Sequence, residues 1–376
     1  MGREKINIWA YFSEVETTIE HNGYFCSVGE ALTIVILGSI CGLRNTNQIH
    51  QWATNERVSE FLSKHFLINT IPCYYWLLCL LKLIKPESLN ECFIKWAQRF
   101  MPDKASDVTI SFDGKTIRST GKMEKYPSPL HIVSAQLAEL GLTIGQQTVK
   151  DKSNEIPAMR ELLEMLEING CLVVADALHC QKETAKAIIE KKADYLLNVK
   201  DNQGALKQDI EEYVQDDFLR KTMDTYTTCE KNSGRVERRT AYTSCDTGWL
   251  PDKEWAGLNC IGAVNTQFTT KKGTTNEWHY YISSRKLTAE ELLKRARLEW
   301  SVETMHWLLD VHFHEDFCRV EDRNVQQNLN MIRKIALNSI RDYKEKTGLK
   351  SAISKIMLGC LIDCENLVPI LALGEN

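Results

Sequence analysis

Apolar residues recur along the first hundred positions with a helical period, and the pattern then changes to alternating, β-branched runs. A helix opens at Gly29-Glu30-Ala31-Leu32 and closes near Gly38 or Gly42. Shorter amphipathic stretches follow over 45–53 and 58–65. Ile71-Pro72-Cys73 predicts another helix start with proline in the first turn, and 86–100 reads as one more helix with Phe93 and Trp96 on its inner side. Such a bundle of short helices suits a DNA-binding module of the helix-turn-helix kind, and equally a packing or dimerisation domain. A polar, proline-containing linker over 101–107 ends it.

From Val108 onward the chain predicts strands. Three come in succession, over 110–118, 130–137 and 142–149, with Glu139-Leu140-Gly141 as a turn between the last two. Short connections suggest an antiparallel meander. The segment 152–157 reads as a helix cap with an early proline, and the helix after it stops before Asn169-Gly170. A strand at 171–175, a helix at 182–191 and a strand at 195–199 complete a ribonuclease H-like arrangement, a mixed sheet with helices on both faces. A helix over 204–218 leads into a β-rich insertion at about 222–285, with strands at 238–242, 260–265 and 278–283 and a hairpin turn at Lys271-Lys272-Gly273. Long helical patterns occupy 288–313 and 324–346, and the tail beyond Gly348 is apolar enough to dock. The expected fold class is therefore α/β, with a ribonuclease H-like domain at 106–376 preceded by an all-α domain at 1–105.

Composition narrows the class. The 376 residues are 43% hydrophobic and 26% charged, as in a soluble globular protein. A net charge of -4 excludes a uniformly basic nucleic-acid binder but leaves room for a basic groove around an acidic centre. The 13 cysteines form no Cys-x-x-Cys pair and no zinc-like spacing. With no signal peptide evident and no apolar run long enough to span a bilayer, the expectation is a cytoplasmic protein without membrane contact.

Within the first strand stands an acid, Asp113, followed by Gly114 and Lys115. A second strand ends on Asp176, and Glu303 lies on the 288–313 helical pattern. A buried carboxylate needs a cation or a hydrogen-bond network to offset its desolvation. Adjacent central strands can bring Asp113 and Asp176 side by side, and a helix on the sheet can deliver Glu303. Two carboxylates on strands and one on a later helix form the layout of a two-metal nuclease centre, in which hard oxygen ligands suit Mg²⁺. The same residues also fit a turn at Asp113 and a helix cap at Asp176, and the residue types alone leave both readings open.

Several ordered motifs carry a resemblance. Ser111-Phe112-Asp113-Gly114-Lys115-Thr116-Ile117-Arg118-Ser119, Asp151-Lys152-Ser153-Asn154-Glu155-Ile156, Ala175-Asp176-Ala177-Leu178-His179-Cys180-Gln181 and Asn198-Val199-Lys200-Asp201-Asn202-Gln203 are four of them. The fifth runs from Glu299 through Trp300-Ser301-Val302-Glu303 to Asp316. Together, from about Asp107 to Arg341, they resemble the DDE transposases of bacterial insertion sequences, specifically the H-repeat-associated group. The helical N-terminus resembles the domain associated with that family.

The resemblance implies a catalytic and metal-binding triad at Asp113, Asp176 and Glu303, two Mg²⁺ ions with Mn²⁺ as a substitute, and cutting and joining of DNA at element ends. It also implies terminal inverted repeats and target DNA as partners, a homodimer in the synaptic complex, and a bacterial, nucleoid-associated location. A structure-selective nuclease and a domesticated, non-transposing DNA-binding protein are the rivals on the same fold. In the wider superfamily a tyrosine and an arginine precede the glutamate and a lysine follows it. Here Glu299 and Asp310 stand at the arginine and lysine positions, with Arg297 and Arg319 as possible substitutes. Lys115 and Arg118 are candidates for phosphate contact, and Lys200, Asn202 and Gln203 lie on the rim where α/β sheets place ligands. Trp300 and Trp307 flank Glu303 on one face of a continuous helix. At least one is expected in the core, and Trp307 is the candidate to stack on an unpaired base. Arg319 completes the DNA-binding set. The histidines are expected to be packing or surface residues.

Overall fold

The computed structural model describes residues 8–19, 26–102, 104–121, 128–150, 155–232, 235–270 and 273–372. Helices α1 (Ile8–Phe12), α2 (Val28–Ile40), α3 (Thr46–Ala53), α4 (Glu56–Phe66), α5 (Tyr74–Leu83) and α6 (Pro86–Ala97) form the first region. Ser27 and Glu30 close a capping box on α2, satisfying two backbone donors that would otherwise be orphaned. Asn45 caps α3, and Pro86 opens α6 where a missing N–H costs nothing. Pro72 lies just ahead of α5 rather than inside its first turn, because Cys73 is the N-cap.

Strands β1 (Thr109–Ile117), β2 (Leu130–Leu137) and β3 (Leu142–Thr148) make the expected antiparallel meander. The β2–β3 turn uses Gly141 at φ +66°, a backbone conformation that a side chain would strain. Helix α7 (Glu155–Met165) crosses over to β4 (Leu172–Ala175), and α8 (Lys182–Glu190) crosses to β5 (Asp194–Val199). Both β1–β4 and β4–β5 are parallel pairs, completing the ribonuclease H-like sheet. The cap expected over 152–157 falls partly outside the described residues.

Helices α9 (Gly204–Gln215) and α10 (Asp217–Thr222) precede β6 (Asp224–Asn232), β7 (Arg235–Ser244), β8 (Cys260–Thr270) and β9 (Gly273–Ser283). These four strands are the β-rich insertion, and they extend the same sheet. Its order is β3-β2-β1-β4-β5-β9-β8-β7-β6, with β9 antiparallel to β5. The hairpin expected at 271–273 lies largely outside the described residues, though β8 and β9 pair as far as Thr270 opposite Gly273.

The chain ends in α11 (Ala289–Glu299), α12 (Ser301–Phe313), α13 (Arg323–Thr347), α14 (Ile353–Ile362) and α15 (Leu367–Ala372). The single helix expected over 288–313 is in fact two, joined at Trp300, which is both the C-cap of α11 and the N-cap of α12. The apolar tail docks as expected, with Ile353, Met357, Cys360, Leu367 and Ile370 buried.

The alternation of β4 explains the layering. Val173 and Ala175 join a core that also holds Leu32, Leu81, Phe93 and Ile335, while Leu172 and Val174 join a second cluster under Leu292 and Leu293 of α11. The N-terminal helices therefore share one continuous core with the sheet and with α13. Polar bonds fix α13 in register. Asn328 donates to the carbonyls of Leu81 and Ile84, Asn338 bridges the backbone of Thr143, and Lys334 donates to Ser134 and Gln146. Among the described residues, no helix is long and apolar enough to cross a membrane.

Candidate active site

Parallel pairing of β1 with β4 ends at Phe112 opposite Ala175, so the next residues on the two strands are Asp113 and Asp176. The pair thus stands at the carboxyl end of adjacent strands, where α/β sheets place their ligands. Asp113 is not at the end of its own strand, because β1 continues to Ile117 against β2. With period 2, Ser111, Asp113 and Lys115 project to the side opposite the buried Ile110 and Phe112, toward α11 and α12.

Burial pushes the Asp113 carboxyl up to about 6, opposed by the Gly114 backbone N–H and reinforced by Asp176 and Glu155. Asp176 is exposed, and one of its oxygens accepts from the Leu178 N–H at 3.0 Å. The capping role considered for it is therefore real, but it occupies one oxygen of the carboxylate. Glu299, the last residue of α11, is pushed up to about 8, first by burial and then by Asp176 and Asp113. Lys200 and the Asn198 amide act in the opposite direction.

Glu303 lies exposed in the first turn of α12. One turn later, His306 Nδ1 approaches Asp113 Oδ2 at 3.5 Å, which brings this end of α12 over β1. Burial, helped by Lys115 and Lys334, drives the His306 imidazole down to about 3, so it meets Asp113 as a neutral ring and not as half of a salt bridge. Among the histidines, the buried His179 and the half-buried His306 stand beside Asp113.

Glu155 is a carboxylate that the pattern of strand acids did not reveal. Its Oε1 meets His131 Nε2 at 2.7 Å and its Oε2 lies 3.7 Å from His179 Nε2. The adjacent His131 and then His179 imidazoles hold it down to about 2. A Cβ on Gly114 would stand 2.2 Å from Glu155 Oε2 and 2.8 Å from His131 Nε2, so a side chain here would force this carboxylate–imidazole pair to shift. The only signal in the sequence is the motif Ser153-Asn154-Glu155-Ile156, in which Glu155 also reads as an ordinary first-turn acid.

The DNA-binding candidates are placed unevenly. Lys115 is turned inward, its Nζ 2.7 Å from Asp310 and 2.8 Å from the fully buried Glu315. Burial works against its charge, but the two carboxylates outweigh that and hold the ammonium above its usual range. It is a brace between β1 and α12 rather than an open phosphate contact. Asn202 and Gln203 donate to the carbonyls of Ala177 and Cys180, so their amides hold the loop after Asp176. Arg118, Lys200 and Arg319 are exposed. Trp307 is 58% exposed and Trp300 52%, so neither is a core aromatic. The break at Trp300 removes the single-helix geometry on which their shared face rested. Trp300 instead stands edge-on to His279, 6.5 Å between ring centres, while Trp307 stands edge-on to His312.

The carboxylates of Asp113, Asp176 and Glu299 are hard oxygen donors of the kind that suits Mg²⁺, and the like charges that help raise Asp113 and Glu299 are those a divalent cation would neutralise. Among the described residues these groups are not drawn into a closed metal-holding cluster.

The family described as Transposase DDE domain matches residues 104–339, and the one described as DDE_Tnp_1-associated matches 9–97. The chain is 33% identical over 342 residues to the "H repeat-associated putative transposase YhhI" of Escherichia coli (strain K12), covering 87% of this chain and 89% of that one. It is 34% identical over 347 residues to the "Putative transposase YncI" of Escherichia coli O157:H7, covering 89% and 88%. A solved structure, of a piggyBac transposase synaptic complex with hairpin DNA, is 10% identical with a TM-score of 0.47, covering 98% of this chain and 80% of that one.

Proposed function

The chain belongs to the DDE transposase family, and from that premise we propose that it cuts DNA at the ends of an insertion sequence and joins the freed ends to a target. The observation that carries the reading is the pair Asp113 and Asp176, side by side where β1 and β4 part, with His306 of α12 beside Asp113. Asp113, Asp176 and Glu303 would hold two Mg²⁺ ions, which supply a nucleophile at neutral pH and stabilise the leaving oxygen of a phosphodiester.

The chain's own residues set the conditions for that chemistry. Neutral His306 lies against one oxygen of Asp113 without adding charge. The bonds from Asn202 and Gln203 fix the loop that follows Asp176, and so fix the approach of that carboxylate. Lys115 ties Asp310 of α12 and Glu315 just after it to β1, which would steady the helix that carries Glu303. Lys200 and Arg118 remain exposed at this end of the sheet to meet phosphates. Bringing two element ends together requires two protomers, so a homodimer is the working unit on DNA.

The test is cleavage and joining of a supercoiled plasmid that carries the inverted repeats flanking the coding region. Glu303→Gln is expected to abolish Mg²⁺-dependent cutting, while Asp310→Asn leaves it measurable, because Asp310 already neutralises Lys115. The reverse ranking in equally folded variants would transfer the third carboxylate to Asp310. Cutting without any joined product would make the protein a nuclease only.

A further inference from the structure

Away from the carboxylates, a cleft of about 490 Å³ lies between the N-terminal helices and the last part of the chain. Three arginines line it: Arg44 from the turn before α3, Arg319 from the loop before α13, and Arg333 from α13 itself. Arg44 and Arg319 are exposed and Arg333 is buried. No carboxylate among the described residues forms an ion pair with any of the three. Glu315, whose charge Arg333 does feel, is already bonded to Lys115 and Asn330. His314 lies between these cations, and burial together with Arg44 and Arg333 pushes its imidazole down. Among the described residues, no ion pair neutralises the exposed Arg44 and Arg319.

Part of the lining is apolar. Leu78 and Phe313 belong to it, and the Phe317 ring is 71% exposed at the cleft mouth. An exposed phenyl ring beside unpaired guanidinium groups fits a ligand that carries both a negative charge and a flat apolar face. Duplex DNA offers the charge but keeps its base faces stacked inside. A single strand offers both, and aromatic stacking contributes about 1–3 kcal/mol per base. The cleft also adjoins the candidate active site. Glu315, next to His314, bonds Lys115, which is two residues along β1 from Asp113.

We propose that this cleft is a subsite for single-stranded DNA, with phosphates on Arg44, Arg319 and Arg333 and a base against Phe317. The proposal rests on the reading of the protein as a DNA transposase and extends it by naming where an unpaired strand is held. It also gives Arg319 a place among the DNA contacts distinct from the carboxylate end of the sheet.

Fluorescence anisotropy without Mg²⁺ tests it, using a labelled oligothymidylate of about ten nucleotides and a hairpin duplex of similar length. Three proteins are compared: the unaltered chain, the double variant Arg44→Ala/Arg319→Ala, and Phe317→Ala. All three substituted side chains are exposed, so the fold is retained. The double variant is expected to bind oligothymidylate at least tenfold more weakly, with a salt slope reduced by about 1.4, since each phosphate contact on a single strand contributes about 0.7. Phe317→Ala is expected to lose about tenfold on oligothymidylate. Duplex affinity changes less than twofold in both. Unchanged oligothymidylate affinity in the variants of a protein that does bind DNA overturns the cleft alone. Equal losses on both probes also overturn it, by marking a general electrostatic surface. An unaltered chain that binds neither probe overturns the transposase reading as well.

Discussion

Asp113→Asn is expected to stabilise the metal-free protein at pH 8 while removing its response to Mg²⁺. The folded-state value of Asp113 is raised from 3.8 to about 6, so ionisation at pH 8 costs stability that is not lost when the carboxyl is protonated. A raised acid is neutral in the folded state below its unfolded value, and its penalty develops as pH climbs from about 4 through 6. One pK unit corresponds to about 1.4 kcal/mol, which sets an upper bound of about 3 kcal/mol. The Asp113 side chain is 37% exposed, and solvent screening reduces the figure to about 1–1.5 kcal/mol. At about 2 cal/mol/K per residue over 376 residues, that is a rise in Tm of about 1–2 °C. In the unaltered protein, Mg²⁺ at a hundred times its dissociation constant adds about 2.7 kcal/mol, or about 3 °C. Scanning calorimetry in EDTA and in MgCl₂ at pH 8 should therefore show the two proteins exchanging rank. In EDTA their difference should close as pH falls toward 4. A lower Tm for Asp113→Asn in EDTA at pH 8, or a Mg²⁺ response as large as that of the unaltered chain, would refute the reasoning.

Glu315→Gln should destabilise the chain by about 3–5 kcal/mol in urea titrations, because it leaves Lys115 and Lys334 buried without their shared carboxylate. Adding Lys115→Met should recover at least half of that, and strict additivity of the two changes would dismiss the coupling. A chain starting at Ser106 should be insoluble or lack near-ultraviolet circular dichroism, since α13 would lose the Leu81 and Ile84 carbonyls and its apolar cover. A soluble, well-packed product would show that the first hundred residues are a separable module.

Much of this arrangement was legible in the chain itself, and for identifiable reasons. β2 carries Leu130, Ile132, Val133 and Leu137, and β3 opens on Leu142 and Ile144 just after the glycine turn, so their bounds are nearly those expected. Asn45 and Pro86 announce helix starts by their chemistry. The break at Trp300 is invisible because no proline or glycine marks it, Trp300 itself has right-handed helical dihedrals, and the apolar spacing runs through. β6 hides in a polar, threonine-rich segment that forms the outer edge of the sheet and needs little apolar surface. Around the site, the two strand acids follow from local pattern. Glu155 does not, because its partners His131 and His179 arrive from β2 and from the loop after β4. Lys115 misleads for the same reason. A lysine after a strand acid suggests phosphate, and only the packing of α12 shows that Asp310 and Glu315 already claim it.

The bonds that seat α13 have a consequence for how the protein is made. Asn328 reaches back 247 residues to the carbonyl of Leu81, and the core of α2 closes only when α13 lies across it. At roughly 5–20 residues per second, the ribosome delivers α13 about ten seconds to a minute after α5 has emerged. During that interval α2, buried on almost every face in the finished molecule, can pack against α1 and α3 but lacks the cover that α13 supplies. The nascent chain therefore waits with the α13-facing side of an apolar helix exposed, a surface open to chaperones and to aggregation until the last third of the chain arrives.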